Sequence, residues 1–115
     1  GLISNPYDMS RFFQALMYGQ IINTASLDEM LTWQTPKDPD PEFYPIDYGL
    51  GIFKIETPQG IAYMHSGDAI GYYANMIYFP GDSTTIVYAV NSNYGKIDQY
   101  VSTQSAIDNI LETIK

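Results

Sequence analysis

The sequence predicts an α+β fold, with an antiparallel sheet of about four strands, two helices before it and one helix after it. Near both ends of the chain, apolar residues recur every three to four positions, which is the spacing of an amphipathic helix. Residues 48–91 are instead rich in β-branched and aromatic residues and are divided by short turns, which is typical of neighbouring antiparallel strands. At 115 residues, the chain is expected to be a single domain or a fragment of one, over residues 1–115.

The first two predicted helices have recognisable beginnings. Asn5 is a suitable N-cap, Pro6 suits the first helical position, and Gly19 suits the C-terminal end. The apolar face of this helix consists of Met9, Phe12, Phe13, Leu16 and Met17. The segment Ser26-Leu27-Asp28-Glu29 is a capping box that predicts a second, short helix running through Trp33.

Residues 35–45 contain four of the seven prolines, so we expect a long loop there rather than a helix or a central strand. Strands are predicted at residues 48–56, 61–66, 72–79 and 84–91. We expect a glycine-bracketed loop at residues 67–71 between the second and third strands.

The last strand and the last helix bear on how the sheet is covered. Residues 86–90 are apolar at both odd and even positions, which point to opposite faces of a strand. We therefore expect both faces of this strand to be covered. A loop at residues 92–96 is expected to lead into a final helix that begins at about Asp98. Its apolar face is Val101, Ile107, Ile110, Leu111 and Ile114.

Composition narrows the class of function. Five Lys and Arg residues against thirteen Asp and Glu residues give a net charge of −8, which argues against binding nucleic acid or an anionic membrane surface. The absence of Cys excludes a thiol nucleophile and a thiolate metal site. No apolar run approaches the roughly 20 residues that span a bilayer. The single His excludes a histidine-based metal cluster, and the acidic segment at residues 38–42 does not match a calcium loop and is expected to be solvated. We expect neither a metal nor a cofactor.

The single histidine marks the candidate site. His65, Ser66 and Gly67 stand together near a predicted strand end, with the imidazole and the hydroxyl on opposite faces. Gly67 removes the Cβ that would obstruct a ligand backbone along the strand, and Gly71 suits a loop with positive φ. Tyr72 and its neighbour Tyr73 are expected to form a pocket wall.

This group of residues can bind a carboxylate, supply a backbone N–H and move a proton. The alternative is that His65 is a partly buried histidine of purely structural importance. Because adjacent side chains on a strand diverge, no Ser66–His65 pair is proposed.

The segment from His65 to Tyr72 resembles the third active-site motif of the serine β-lactamase and DD-peptidase superfamily, in the branch of the class C β-lactamases, DD-carboxypeptidases and related esterases. Other segments resemble the same family in the same order. These are residues 1–4 with 8–13, the Tyr-Gly-Leu-Gly segment at 48–51, and the hydrophobic strand that ends at Asn91. The resemblance covers nearly the whole chain and implies part of a β-lactamase-like α/β sandwich.

The resemblance also implies roles for the site residues. His65 would help bind the substrate carboxylate and relay a proton, and Ser66 would hydrogen-bond the substrate. Gly67 would give clearance, and the N–H of Asp68 would belong to the oxyanion hole. Gly71 and Tyr72 complete the expected substrate-binding set.

Two motifs of the family are missing from this sequence. No Ser is followed three residues later by Lys, so the nucleophile motif is absent. Tyr73-Ala74-Asn75 has the spelling of the second motif but follows the third, and we interpret it as a coincidence. The resemblance therefore implies the C-terminal portion of a serine hydrolase, which by itself should be inactive.

Three alternatives remain open for what this sequence does. As part of an intact hydrolase it would act on D-Ala-D-Ala-like peptides, β-lactams or small esters, and the family suggests a periplasmic or extracellular location. As a non-catalytic binding module, it would self-associate through an exposed sheet edge and form a homodimer. The third alternative is a tyrosine-rich α+β domain of unrelated function.

Overall fold

A computed structural model describes residues 2–92 and 101–114. Three helices are described: α1 (Pro6–Met17), α2 (Thr24–Met30) and α3 (Thr103–Ile114). The five strands are β1 (Ile46–Tyr48), β2 (Phe53–Thr57), β3 (Gly60–Ala69), β4 (Tyr72–Phe79) and β5 (Thr84–Val90). They form one antiparallel sheet in chain order. The predicted α+β class is confirmed, with five strands instead of about four.

Helix α1 begins and ends where its capping residues predict. The side-chain oxygen of Asn5 accepts a hydrogen bond of 3.0 Å from the N–H of Asp8, and Pro6 is the first helical residue. At the other end Gly19 adopts φ +67°, and the N–H of Gln20 reaches back to the carbonyl oxygen of Ala15 at 2.9 Å. This is a Schellman cap, which needs the left-handed conformation that glycine adopts without cost.

Helix α2 begins two residues before the predicted capping box. The side-chain oxygen of Asn23 accepts a hydrogen bond of 2.9 Å from the N–H of Ser26, so Asn23 is the N-cap. The helix ends at Met30, and Trp33 lies beyond it. The predicted start was wrong because Asn23 and Ser26 are both good capping residues, and the sequence alone does not choose between them.

The single strand predicted at residues 48–56 is wrong, because β1 ends at Tyr48 and a turn separates it from β2. The N–H of Gly49 bonds the carbonyl oxygen of Ile52 at 2.8 Å, and Gly51 adopts φ +76°. Gly49 also lies against α2, where an added Cβ would stand 2.3 Å from the carbonyl oxygen of Met30. The turn therefore requires glycine for two reasons, positive φ and close approach, that β-propensity does not capture.

The glycine-bracketed loop predicted at residues 67–71 is instead a two-residue turn. Strand β3 continues through Gly67 to Ala69, and only Ile70 (φ +52°) and Gly71 (φ +81°) lie between the strands. Gly67 pairs with Ala74 of β4 in the ladder. The prediction failed because Gly67 marks a strand interior here and not a turn.

Helices cover both faces of the sheet. We call the side that packs on α3 the α3 face, and its core includes Ile55, Ile77, Phe79, Ile107 and Leu111. We call the other side the α1 face, where Phe13, Leu16 and Ile52 pack with Tyr78. Strand alternation assigns every strand side chain to one of these two faces.

The loop at residues 35–45 contains no helix or strand, as predicted. It nevertheless contributes to the core, because Tyr44 packs into the cluster beneath α3 and is only 4% exposed. The side-chain hydroxyl of Tyr44 donates a hydrogen bond to the carboxylate of Asp108 on α3. This contact attaches the loop to the helix.

Strand β5 is covered on both faces over part of its length. Ile86 is buried in the core beneath α3, Val87 is half-buried on the α1 face, and Ala89 is exposed. The predicted loop at residues 92–96 and the predicted helix start near Asp98 lie largely outside the described residues. Helix α3 is described from Thr103 and buries Ile107 and Leu111, as its apolar face predicts.

Candidate active-site strand

His65 lies on the α1 face of β3, in a part of the sheet where its side chain is exposed. Toward the start of the strand, Tyr63 packs on the cluster that α1 contributes to. The imidazole contacts the ring of Phe53, which itself packs against the core cluster of the α3 face, so the two rings meet where β2 ends; 5.7 Å separates the ring centroids at an interplanar angle of 31°. The aromatic contact supports one side of the imidazole and leaves it accessible.

Ser66 and Asp68 project their side chains from the opposite, α3 face of the strand, because side chains alternate. Ser66 is half-buried and Asp68 is exposed. The predicted divergence of His65 and Ser66 is therefore present in the structure. Among the described residues, no serine hydroxyl is hydrogen-bonded to His65.

The two neighbours of β3 pair with it over different lengths. Strand β2 accompanies β3 only as far as the Phe53–Met64 pair, whereas β4 pairs with it up to Ala69. We call the side of residues 65–69 that faces away from β4 the β3 edge. It lies in line with β2 but beyond its end.

The register determines which backbone groups point to the β3 edge. Ala69 and Tyr72 flank a two-residue turn and therefore form a hydrogen-bonded pair. Hydrogen-bonded pairs recur at every second residue of an antiparallel ladder, so Gly67 and His65 also direct their N–H and C=O groups toward β4. Ser66 and Asp68 direct theirs the other way. The backbone N–H and C=O groups of Ser66 and Asp68 therefore point to the β3 edge in extended geometry, and the sequence alone did not predict this direction.

Gly67 leaves space on the α1 face. A Cβ built at Gly67 would meet no atom within 4 Å. Its neighbour across the ladder is Ala74, and the next one on β5 is Ala89. Three small residues in one row make this part of the face shallow, next to the imidazole.

The two predicted wall tyrosines lie on different faces. Tyr72 is 65% exposed on the α1 face, on the same side as His65, whereas Tyr73 is buried on the α3 face. The prediction that both would form one wall is wrong, because adjacent strand residues alternate. Gly71 lies in the turn, where its φ of +81° gives a structural reason for glycine.

The second-motif spelling at residues 73–75 does not reach the candidate site. Asn75 is completely buried on the α3 face, away from the imidazole of His65. This placement agrees with interpreting Tyr73-Ala74-Asn75 as a coincidence. The burial of an amide at this position is a separate feature that the sequence did not predict.

A nearby cation on the α1 face is already engaged. The ammonium of Lys54 forms an ion pair with Asp47 and lies 5.6 Å from the ring centroid of Trp33. Hydrogen bonds from Lys54, first, and from Thr35 hold the pKa of the Asp47 carboxyl below its usual value. Within the described ranges, no group of three His, Asp or Glu residues is placed to hold a metal ion.

Two concave regions lie away from His65. One, of about 420 Å³, is lined by residues that include Arg11 and Phe12 of α1 and Tyr18, which follows the helix. A second one, of about 550 Å³, lies between the β2–β3 and β4–β5 turns and is lined by Ile61 and Phe79 among others.

Comparison with known proteins identifies the class to which this fold and strand belong. The family model named Beta-lactamase matches residues 1–107, and the chain belongs to this family. The crystal structure of a penicillin binding protein from Bacillus halodurans has a similar fold, with a TM-score of 0.67 and 22% sequence identity. The match covers 91% of this chain and 30% of that protein.

These findings confirm the resemblance to the serine β-lactamase and penicillin-binding-protein superfamily. The chain spans about a third of the length of the penicillin binding protein that it matches. Over residues 2–92 and 101–114, none of the helices is both long and apolar enough to cross a membrane.

Proposed function

We propose that this chain is the C-terminal part of a penicillin-binding-protein-like serine hydrolase and supplies its substrate-binding strand. The observation that carries the proposal is the β3 edge, where backbone groups point away from β4 beside an exposed imidazole and an empty space at Gly67. An extended substrate can align there as an additional strand. Membership of the β-lactamase family supports the same function.

The proposed roles follow from where each group lies. The imidazole of His65, on the α1 face, interacts with the substrate carboxylate and relays a proton. The N–H of Asp68, on the β3 edge, donates to the carbonyl oxygen as negative charge develops on it. Ser66 hydrogen-bonds the substrate, and the missing side chain of Gly67 leaves room for it.

The reaction that this strand serves is acyl transfer through a serine from another part of the whole protein. The serine oxygen attacks an amide or ester carbonyl, the amine or alcohol leaves with a proton, and water then hydrolyses the acyl-enzyme. D-Ala-D-Ala-like peptides, β-lactams and small esters are the candidate substrates. Because His replaces the more usual Lys, we favour a carboxypeptidase or an esterase. Gly71 and Tyr72 would lie near the outer part of the substrate.

The proposal is tested by His65→Ala in the full-length protein. Removing the proton relay should slow acylation by a small ester or a fluorescent penicillin about 10²-fold or more. Stability should change little, because the side chain is exposed. Ile61→Ala is the matched control, since Ile61 is also exposed, lies on the same strand and face, and is four residues away from His65. Equal acylation rates for the two variants would contradict the role of His65.

A second candidate function is self-association without catalysis. Strand β5 ends the sheet, and among the described strands only β4 pairs with it. A strand edge of this kind can pair with the same edge of a second copy and give a homodimer. Sedimentation velocity and acylation, both measured on the full-length protein, separate the candidates, because a stable dimer that no probe acylates favours the interaction module.

A further inference from the structure

One side-chain atom of the buried residue Asn75, its amide oxygen, lacks a hydrogen-bond donor in the part of the chain that the structure describes. The residue is 0% exposed, and its Nδ2 donates to the hydroxyl of Tyr88 at 3.2 Å. Its Oδ1 is buried and has no hydrogen-bond donor among the described residues. A buried acceptor without a donor is costly, so this position calls for a donor close by.

The register places a suitable donor directly beside Asn75. Ser66 of β3 and Tyr88 of β5 are its two cross-strand neighbours on the α3 face. Because the hydrogen-bonded pairs of β3 and β4 include Gly67–Ala74, the Ser66–Asn75 pair is of the non-hydrogen-bonded type, in which side chains approach more closely. Cβ atoms in such pairs lie about 5 Å apart, within reach of a hydroxyl and an amide.

In this structure the amide of Asn75 has a partner on one side. Its Nδ2 branch is turned to Tyr88 on β5, so the Oδ1 branch is turned away from β5, toward β3. The hydroxyl of Ser66 makes no hydrogen bond to the described residues in this structure, and the two groups are not bonded to each other. Rotation about χ1 of Ser66 would carry its hydroxyl toward Oδ1.

We infer that Asn75 is a positioning residue, whose Oδ1 accepts the hydroxyl proton of Ser66 and holds Ser66 in place on the substrate-binding strand. The consequence for binding rests on the proposed function. With its proton committed to Asn75, Ser66 Oγ offers only lone pairs to a ligand on the β3 edge. Ser66 then accepts a hydrogen bond from a substrate N–H or O–H and does not donate one to the substrate carboxylate.

The bond is tested by a thermal double-mutant cycle in the full-length protein. Ser66→Ala should lower Tm by about 2–4 °C, the shift expected when a protein of more than about 150 residues loses one hydrogen bond. In an Asn75→Leu background the same substitution should change Tm by less than about 1 °C, because the acceptor has gone. Equal losses in the two backgrounds would overturn the inference.

A conservative variant keeps the test valid if Asn75→Leu does not fold. Ser66→Thr retains the hydroxyl and should keep the wild-type Tm within about 1 °C, while Ser66→Ala does not. If both substitutions lower Tm equally, the hydroxyl bond to Asn75 does not exist.

The effect on the ligand has its own readout. Asn75→Leu should lower the second-order rate constant of acylation about fivefold to tenfold, and adding Ser66→Ala should cause no comparable further loss. Additive losses would contradict the positioning role. If the wild-type protein is not acylated at all, the proposed function fails, while the Tm cycle still decides whether Asn75 holds Ser66.

Discussion

At the scale of single residues, Gly67 is a glycine that the fold does not require. Its φ lies outside the left-handed region and an added Cβ would touch nothing within 4 Å, so the fold does not need glycine there. Gly71 by contrast has φ +81°, and its conformation alone accounts for glycine. An empty space beside an exposed imidazole is what a ligand site requires.

We therefore predict that Gly67→Val keeps the protein folded but blocks its site. Valine favours a strand, so the free energy of unfolding should stay the same or rise by about 0.5–1 kcal/mol. Acylation should fall at least tenfold, because the side chain occupies the clearance. Acylation kinetics and a denaturation curve of the full-length protein check both parts.

Gly81→Val is the control for this experiment. Gly81 also has free space around its Cβ position and no positive φ, but it lies in the turn between β4 and β5. This variant should keep the wild-type acylation rate. A similar loss in both variants would mean that Gly67 has no special relation to the substrate.

Strand alternation allowed part of the candidate site to be predicted from the sequence. The opposite directions of His65 and Ser66 follow from a period of two, and the structure confirms them. The same rule should have separated Tyr72 from Tyr73, which were predicted to share a wall. The burial of Asn75 was not predictable, because it depends on which strands lie on either side of it.

At the scale of elements, the β3–β4 turn contains a strained residue. Ile70 has φ +52°, a conformation that costs a β-branched residue about 1–2 kcal/mol, and its side chain is 98% exposed. The turn has positive φ at both central positions, for which Asn-Gly is the preferred pair. No packing compensates for the strain, since the side chain touches mainly solvent.

Ile70→Asn should therefore stabilise the chain by about 1 kcal/mol, which raises Tm by about 4–8 °C in a domain of this size. Ile61→Asn is the control, because Ile61 is also exposed but lies within a strand and has negative φ. Thermal unfolding followed by circular dichroism measures both variants. A gain in neither variant, or the same gain in both, would contradict the strain at residue 70.

The junction between the proline-rich loop and α3 gives a prediction for alkaline pH. Burial, and then the hydrogen bond and charge of Asp108, raise the pKa of the Tyr44 hydroxyl well above its usual value. In the unfolded chain this hydroxyl ionises near pH 10. Above that pH the folded state holds a proton that the unfolded state has lost, so stability must fall as pH rises.

Tyr44→Phe should reduce this loss. Between pH 9 and 11 the free energy of unfolding of the wild type should fall more steeply than that of the variant, by at most about 1.4 kcal/mol per pH unit. Urea denaturation over this pH range measures the two slopes. Parallel slopes would show that Tyr44 does not retain its proton in the folded state.

Local signals predicted the elements better than their boundaries. The capping residues of α1 determine its ends, whereas α2 has two competing caps and began earlier than predicted. The division of β1 from β2 depends on the approach of Gly49 to Met30, which are distant in sequence. Such contacts exist only after the helix and the strand have packed together, and propensity does not include them.

At the scale of the whole molecule, the sheet is covered by helices on both faces, yet His65 and Gly67 stay exposed beside the end of β2. The family match and the fold similarity were predicted from the ordered motifs along the chain. The direction of the backbone groups on the β3 edge was not, because it depends on the two-residue turn and the register. The structure thus adds to the sequence the direction of these backbone groups, on which the proposed function depends.

The most direct test of this account is covalent labelling with a fluorescent penicillin and a fluorophosphonate, read by intact mass. The 115-residue chain is compared with the protein encoded by the entire reading frame. We expect the complete protein to gain the mass of one probe and the short chain to gain none, since the short chain has no Ser-x-x-Lys. Labelling of neither protein, or labelling of the short chain, would contradict the claim that these residues form the substrate-binding part of a serine acyl-transfer site.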